Sequence, residues 1–212
     1  MIGEQKKGGL RRWSGWLWLL LTLVVIAVFT AFSPLEKTLG SNARIVYLHG
    51  AWVLAAEIAF FAAAAFGLVG ILSRRAFFHR WSAALGRTGL VFWITYLPLS
   101  LWAMQANWNG LFLSEPRFRL ALVFAVVGFL LQAGLWIMDI PWLTSGANVI
   151  YILLLRYAFS QASNIMHPPP SPIFSSGMWQ VITFFLGMNF LALLAAFFLT
   201  LGWLRLDRRT AK

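Results

Sequence analysis

Apolar residues are grouped along this chain in six runs that are separated by short polar segments. Most of the runs approach the roughly 20 apolar residues that an α-helix needs to cross a bilayer, and the fifth is shorter. The pattern predicts an all-α, polytopic membrane protein, a bundle of six transmembrane helices that forms one domain over residues 1–212. The predicted helices cover residues 16–32, 45–72, 88–106, 120–138, 147–159 and 178–204.

The segments around the first two runs refine this picture. The first run follows a basic segment, as signal peptides and signal anchors do, but Ala31-Phe32-Ser33-Pro34 is a poor cleavage site, so we expect a retained helix. The second run is rich in alanine and glycine, which allow helices to approach closely, and is expected inside the bundle. The residues from Arg74 to Arg87 are expected to form a basic loop before the third helix.

Lysine and arginine are distributed unequally between alternate loops. Twelve lie before helix 1, between helices 2 and 3 or after helix 6, whereas the other loops contain only Lys37, Arg44, Arg117 and Arg119. Because cytoplasmic loops carry the excess of basic residues, both termini are predicted to be cytoplasmic. The expected location is the inner, or cytoplasmic, membrane, with the loops after helices 1, 3 and 5 facing outward.

Composition supports the membrane assignment and excludes several functions. The chain is 60% hydrophobic and 11% charged, whereas soluble domains carry about 25% charged residues. Its net charge of +11 is concentrated beside the apolar runs, so we do not expect nucleic-acid binding. The absence of cysteine excludes thiolate metal sites and covalent c-type haem attachment. With six acidic residues and no paired carboxylate motif, the chain is not expected to be an enzyme.

The three histidines are the first candidates for chemistry. His49 and His167 fall on the predicted outer side, and two neutral imidazoles can ligate haem iron from opposite faces. Equally, His49 can bond to a loop carbonyl, and His167 can lie in a turn fixed by the prolines after it. His79 is surrounded by arginines and is expected in a solvated or headgroup-facing loop.

Charged residues within the predicted spans are informative, because burying a charge in a bilayer costs about 3 kcal/mol. Glu57 and Arg156 can form an ion pair inside the bundle, an interpretation slightly favoured over the binding of a haem propionate by Arg156.

Further residues on the outer side are open to two interpretations. Trp102 and Trp108 can form aromatic walls for a flat ligand or belong to an interfacial belt. Glu115, Arg117 and Arg119 lie before helix 4 and can receive propionates or contact lipid headgroups.

The segment Arg44-Ile45-Val46-Tyr47-Leu48-His49, followed by Ala51-Trp52, resembles the start of the second helix in the cytochrome c assembly family of haem-handling membrane proteins, the CcmC and CcsA type. The resemblance implies that His49 and His167 are the axial ligands of a non-covalent haem b. Candidate pocket or propionate contacts are Trp52, Trp102, Trp108, Glu115, Arg117, Arg119 and Arg156.

The outward loop departs from the family pattern, which has several tryptophans before an acid-x-Arg ending. Glu115-Pro116-Arg117 keeps that ending, but most of the tryptophans are missing. The leading hypothesis is a protein that holds haem b at the outer face for cytochrome c maturation, with other membrane or periplasmic subunits as partners. One alternative is a b-type cytochrome anchor that passes electrons within a redox complex. The second alternative is a haem-free transporter or structural subunit.

Overall fold

The computed structural model describes residues 3–163 and 173–210, with side chains within 15–163 and 173–207. Most of these residues lie in α-helices, and no strand occurs in the described ranges. The six long helices are α1 (Gly3–Ala31), α2 (Ala43–Ser73), α3 (Ala76–Trp108), α4 (Pro116–Met138), α5 (Pro141–Ser160) and α6 (Trp179–Thr210). A short 3-10 helix, Phe174–Ser176, precedes α6.

Four of these helices, α2, α3, α4 and α6, are long and apolar enough to cross a membrane. The described side chains of α1 add a shorter apolar stretch, Gly15–Ala31, and α5 has 20 residues. The six apolar runs therefore all form helices, and the all-α expectation is confirmed.

Three helix starts differ clearly from the sequence prediction. α1 begins at Gly3 and not at residue 16. α3 begins at Ala76 and not at residue 88, so the expected basic loop is wrong: the connection between α2 and α3 is Arg74 and Arg75 alone. Arg74 adopts a left-handed conformation (φ 55°) and donates its N–H to Gly70 O, which closes α2. α5 begins at Pro141 and not at residue 147, because proline is suited to the first turn of a helix.

The hairpin of α2 and α3 forms the centre of the bundle. α5 and α6 each pack against both helices of this hairpin, α4 packs against α3 and α5, and α1 packs mainly against α6. On α2 the buried face consists largely of small residues, among them Ala51, Ala55, Ala59 and Ala63. The expectation that this helix lies inside the bundle is confirmed, because alanine lets neighbouring helices approach closely.

Contacts between antiparallel neighbours define two ends of the bundle. We call the end where α2, α4 and α6 begin the His49 end, and the end where α3 and α5 begin the His79 end. Among the residues whose side chains are described, the arginines at or near the His79 end are Arg74, Arg75, Arg80, Arg87 and Arg205.

The helices differ in length at the His49 end. Glu57 of α2 contacts Arg156 of α5. From Glu57, α2 extends several turns towards the His49 end, where it starts at Ala43. From Arg156, α5 extends only one turn in the same direction and ends at Ser160. At 1.5 Å per residue, α2 extends about 15 Å beyond α5. α3 extends beyond the start of α4 in the same way, so α2 and α3 form a wall above α4 and α5. We call this difference in height the step.

Candidate functional site

His49 lies in the second turn of α2, on the part of the helix that extends above the step. Its half-buried imidazole is 5.6 Å from the Tyr96 ring of α3, measured between ring centroids, with an angle of 57° between the two planes. The two helices that form the wall, α2 and α3, thus each contribute one ring to this pair. Histidine is a side chain that can ligate haem iron, so this position carries the imidazole that the sequence singled out.

Residues further along α2 show which helices the His49 face of α2 packs against. Phe60, about three turns further along α2, lies on nearly the same side of the helix. The Phe60 ring contacts Tyr151 of α5 at 5.0 Å and Trp93 of α3 at 6.1 Å. Trp93 in turn contacts Tyr96 at 5.0 Å. His49 and Tyr96 therefore continue an aromatic column above the level at which α5 ends.

The structure separates two tryptophans that the sequence grouped with His49. Trp52 lies between α2 and α3, where its Nε1 donates a hydrogen bond to Thr95 Oγ1 (2.9 Å) and its ring contacts Phe92 at 4.8 Å. Trp102 lines a groove beside α1, and 63% of its surface is exposed. The first therefore contributes to packing of the central hairpin, and the second faces away from the aromatic column.

The loop between α3 and α4 has a defined geometry. Glu115 caps α4, because its Oε2 accepts a hydrogen bond from the backbone N–H of Phe118 (2.6 Å). Arg119 donates from Nε to the carbonyl oxygen of Leu113 (3.3 Å), which ties the loop to the first turn of α4. Trp108 is the last residue of α3, and Arg117 lies in the first turn of α4 with its side chain half-buried. The segment Glu115-Pro116-Arg117, which matches the acid-x-Arg pattern, therefore forms the start of α4.

A groove with a volume of about 420 Å³ opens between the start of α4 and the end of α5. It lies beside the step and is lined by Ser114, Pro116, Arg119, Ala158, Gln161 and Ser163. Because Arg119 lines it, the groove brings a cation to the same end of the bundle as His49.

Glu57 and Arg156 form the ion pair that the sequence suggested, but the pair lies at the surface of the bundle and not inside it. Arg156 Nη1 lies 2.8 Å from Glu57 Oε1, and the two side chains are 49% and 21% exposed, respectively. The pair joins α2 to the last turn of α5, just below the step. Only part of the Arg156 guanidinium faces Glu57, and the remainder faces outward.

His79 corrects an expectation, since it does not lie in a solvated or headgroup-facing loop. It is half-buried in the first turn of α3, and its Nδ1 lies 2.7 Å from Ser145 Oγ of α5. The imidazole packs directly against Gly70 of α2. His79 therefore holds three helices together at the end opposite His49.

A buried polar network beside His79 was missed by the sequence interpretation. Gln132 Nε2 donates to Asn148 Oδ1 (2.8 Å), and Asn148 Nδ2 donates to the backbone oxygen and the Oγ of Ser82, each at 3.0 Å. We call His79, Ser82, Gln132, Ser145 and Asn148 the polar seam. The available signal was the presence of Gln132 and Asn148 within strongly apolar runs.

His167 lies in residues 164–172, outside the described residues. The last described residue before this segment, Ser163, lines the groove beside the step. After it, Ile173 packs against the core and Phe174 contacts Phe185 of α6 at 5.7 Å. Both flanks of the segment therefore lie at the His49 end.

Comparisons with protein-family models, curated proteins and solved structures gave no match for this chain. Within the described ranges, no group of three or more histidine, aspartate or glutamate side chains is positioned to hold a metal ion. The imidazole of His49, which packs against the Tyr96 ring, and the groove that Arg119 lines lie at the same end of the bundle.

Proposed function

We propose that this chain is a haem-binding integral membrane protein that holds haem b at the outer face of the cytoplasmic membrane for cytochrome c maturation. The observation that supports it best is the position of His49 on the wall above the step, with its ring against Tyr96. In this proposal His49 and His167 are the axial ligands, and Arg117, Arg119 and Arg156 are the candidate propionate contacts.

The direct test is the haem content of the purified protein. A pyridine haemochrome spectrum of the wild type should be of the b type, since the chain has no cysteine for thioether bonds. His49→Ala and His167→Ala should each lose most of the bound haem. His79→Ala is the matched control, because His79 lies at the opposite end, and it should retain haem. Full haem content in the double variant of His49 and His167 would refute the proposal.

The proposal includes six membrane spans with both termini cytoplasmic, so that His49 faces outward. It is supported by the arginines near the His79 end, because basic residues are retained on the cytoplasmic side. The chain contains no cysteine, so labelling of a single introduced cysteine shows on which side of the membrane that residue lies. An impermeant maleimide should label Lys37→Cys in intact cells and Arg75→Cys only after lysis. The reverse pattern would exclude the proposed orientation.

Haem delivery and permanent haem retention make different predictions for a deletion strain. If the chain delivers haem, the strain should lack c-type cytochromes. A strain with normal c-type cytochromes, together with a reversible haem potential and stable redox subunits in the purified complex, would instead support the electron-transfer alternative.

A haem-free transporter remains the second candidate, and the polar seam favours it. Buried amide and hydroxyl groups in a membrane bundle often line a path for a polar substrate. An absorption spectrum after gentle purification separates the two candidates, since the transporter has no chromophore.

A further inference from the structure

A second groove at the His49 end lies on the opposite side of α2 from α5, between the end of α1 and the start of α2. Its volume is about 340 Å³. Its apolar lining includes Ala27 and Ala31 of α1, Ile45 and Leu48 of α2, and Trp102 and Ala106 of α3. Arg44 supplies the charged side chain of the lining.

Helix packing leaves this groove open. α1 packs mainly against α6 and contacts α2 only slightly. The start of α2 is instead tied to the end of α3, because Asn42 Nδ2 donates a hydrogen bond to the carbonyl oxygen of Ala106 (2.7 Å). The cleft between α1 and α2 is therefore a fixed feature of the fold, with walls from three helices.

The length of α3 indicates the depth at which we expect the groove to lie in a membrane. Along α3 the distance from Arg80 to Trp102 is about 33 Å, close to the hydrocarbon thickness of about 30 Å. With Arg80 at one interface, Trp102 therefore lies at the other. Exposed tryptophans are typical of the headgroup level, and Trp102 is 63% exposed.

Charge at the mouth of the groove selects an anionic ligand. The Arg44 side chain is exposed, and neither of the two ion pairs found among the described side chains, Arg87 with Asp207 and Arg156 with Glu57, involves it. An arginine guanidinium binds phosphate oxygens in a bidentate manner. A phosphate at Arg44 would place attached hydrocarbon directly over Ile45 and Leu48.

We propose that this groove binds an anionic phospholipid, with its phosphate at Arg44 and one acyl chain along the apolar wall between α1 and α2. The ligand combines the two chemistries that the groove offers, a cation at the interface and a hydrocarbon surface below it. The site is separate from the His49 and Tyr96 pair, so the proposal does not depend on haem binding.

The test is native mass spectrometry of the full-length protein from nanodiscs that contain equal amounts of phosphatidylglycerol and phosphatidylcholine. The wild type should retain phosphatidylglycerol preferentially. Arg44→Gln should reduce this retention about fivefold, whereas Lys37→Gln, which removes an exposed cation at the same end, should not. Equal retention by Arg44→Gln and the wild type, or no preference between the two lipids, would overturn the proposal.

A second pair of measurements tests the acyl-chain part. Ala31→Trp fills the groove at an exposed position of α1 and should weaken phosphatidylglycerol retention, whereas Ala65→Trp on the exposed face of α2 should not. Glycerol phosphate, which carries the headgroup chemistry without a chain, should fail to displace the lipid. Displacement by glycerol phosphate, or unchanged retention in Ala31→Trp, would show that the groove is not the binding site.

Discussion

The two ends of the bundle differ in how completely their helices pack together. At the His79 end, polar side chains bond to one another between helices, as in the polar seam and the pair of Arg87 with Asp207 (2.7 Å). At the His49 end, the helices stop at different levels, and two grooves open beside Arg44 and Arg119. The difference indicates that the helices are joined more closely at the His79 end than at the His49 end, where grooves open between them.

Substitution of glycines on α2 by alanine should give the largest difference in stability between the two ends. A Cβ at Gly67 would lie 2.8 Å from the backbone oxygen of Ser145, which cannot move away, whereas a Cβ at Gly50 would lie 3.2 Å from the Phe185 ring, which can. We expect Gly67→Ala to lower the free energy of unfolding by about 2 to 3 kcal/mol. Gly50→Ala should be close to neutral, because alanine also favours the helix by about 1 kcal/mol.

Equilibrium unfolding in mixtures of SDS and dodecyl maltoside measures both variants. Equal destabilisation by Gly67→Ala and Gly50→Ala would show that the two ends are packed equally tightly, and the comparison between them would fail.

Asn148→Leu tests the polar seam itself. The substitution removes the acceptor of Gln132 and the donor to Ser82, so we expect a loss of about 1.5 kcal/mol in the same unfolding measurement. Asn189→Leu is the matched control. The Oδ1 of Asn189 is buried and has no hydrogen-bond partner among the described residues, so its loss should cost less. A larger effect at Asn189 would contradict the stabilising role of the seam.

Arg87→Gln should have a smaller effect at the same end. Arg87 pairs with Asp207 of α6, and its guanidinium carbon lies 4.9 Å from the centre of the Trp136 ring of α4. Removing both contacts should cost about 1 kcal/mol. A double-mutant cycle with Asp207→Asn isolates the ion pair, and Arg74→Gln, an exposed cation, is the control. An additive cycle would show that the pair contributes nothing.

The smallest expected effect lies in the loop before α2, at the His49 end. The carboxylate of Glu36 accepts hydrogen bonds from the backbone N–H groups of Leu39 (2.8 Å) and Thr38 (2.7 Å), which lowers its pKa. Because the folded pKa is below the unfolded value of about 4.3, the stabilisation is present above that value. It is lost as the pH falls through the folded pKa.

Hydrogen exchange of the Thr38 and Leu39 amides, corrected for intrinsic rates, should therefore increase on acidification in the wild type. Glu36→Gln should remove this pH dependence. A wild-type profile that matches Glu36→Gln would show that the carboxylate does not hold the turn.

The number of helices could be predicted from the sequence, because each apolar run is long enough to form one. The start of α3 could not, since Arg80 and Arg87 read as loop residues when only hydropathy is considered. In the structure Arg87 pairs with Asp207, and Arg80 Nη2 approaches the carbonyl oxygen of Leu204 (3.5 Å). Both partners belong to α6, so the helical conformation of these arginines depends on a distant part of the chain.

Only part of the candidate site could be predicted, because several of its contacts also depend on distant parts of the chain. The pairing of Glu57 with Arg156 followed from the cost of isolated charges in a membrane, which limits the possible partners. The role of His79 did not follow, because its neighbours in sequence are arginines and its contact is Ser145 of α5. The position of Trp102 beside α1 likewise depends on which helices pack together, and local sequence does not specify that.

The two-residue connection at Arg74 and Arg75 also constrains how the protein is made. Because the link is so short and α2 and α3 pack extensively against each other, we expect the two helices to leave the translocon as one hairpin. In the orientation that we propose, the charged link then remains on the cytoplasmic side. During biogenesis this hairpin would be the surface against which the other helices assemble.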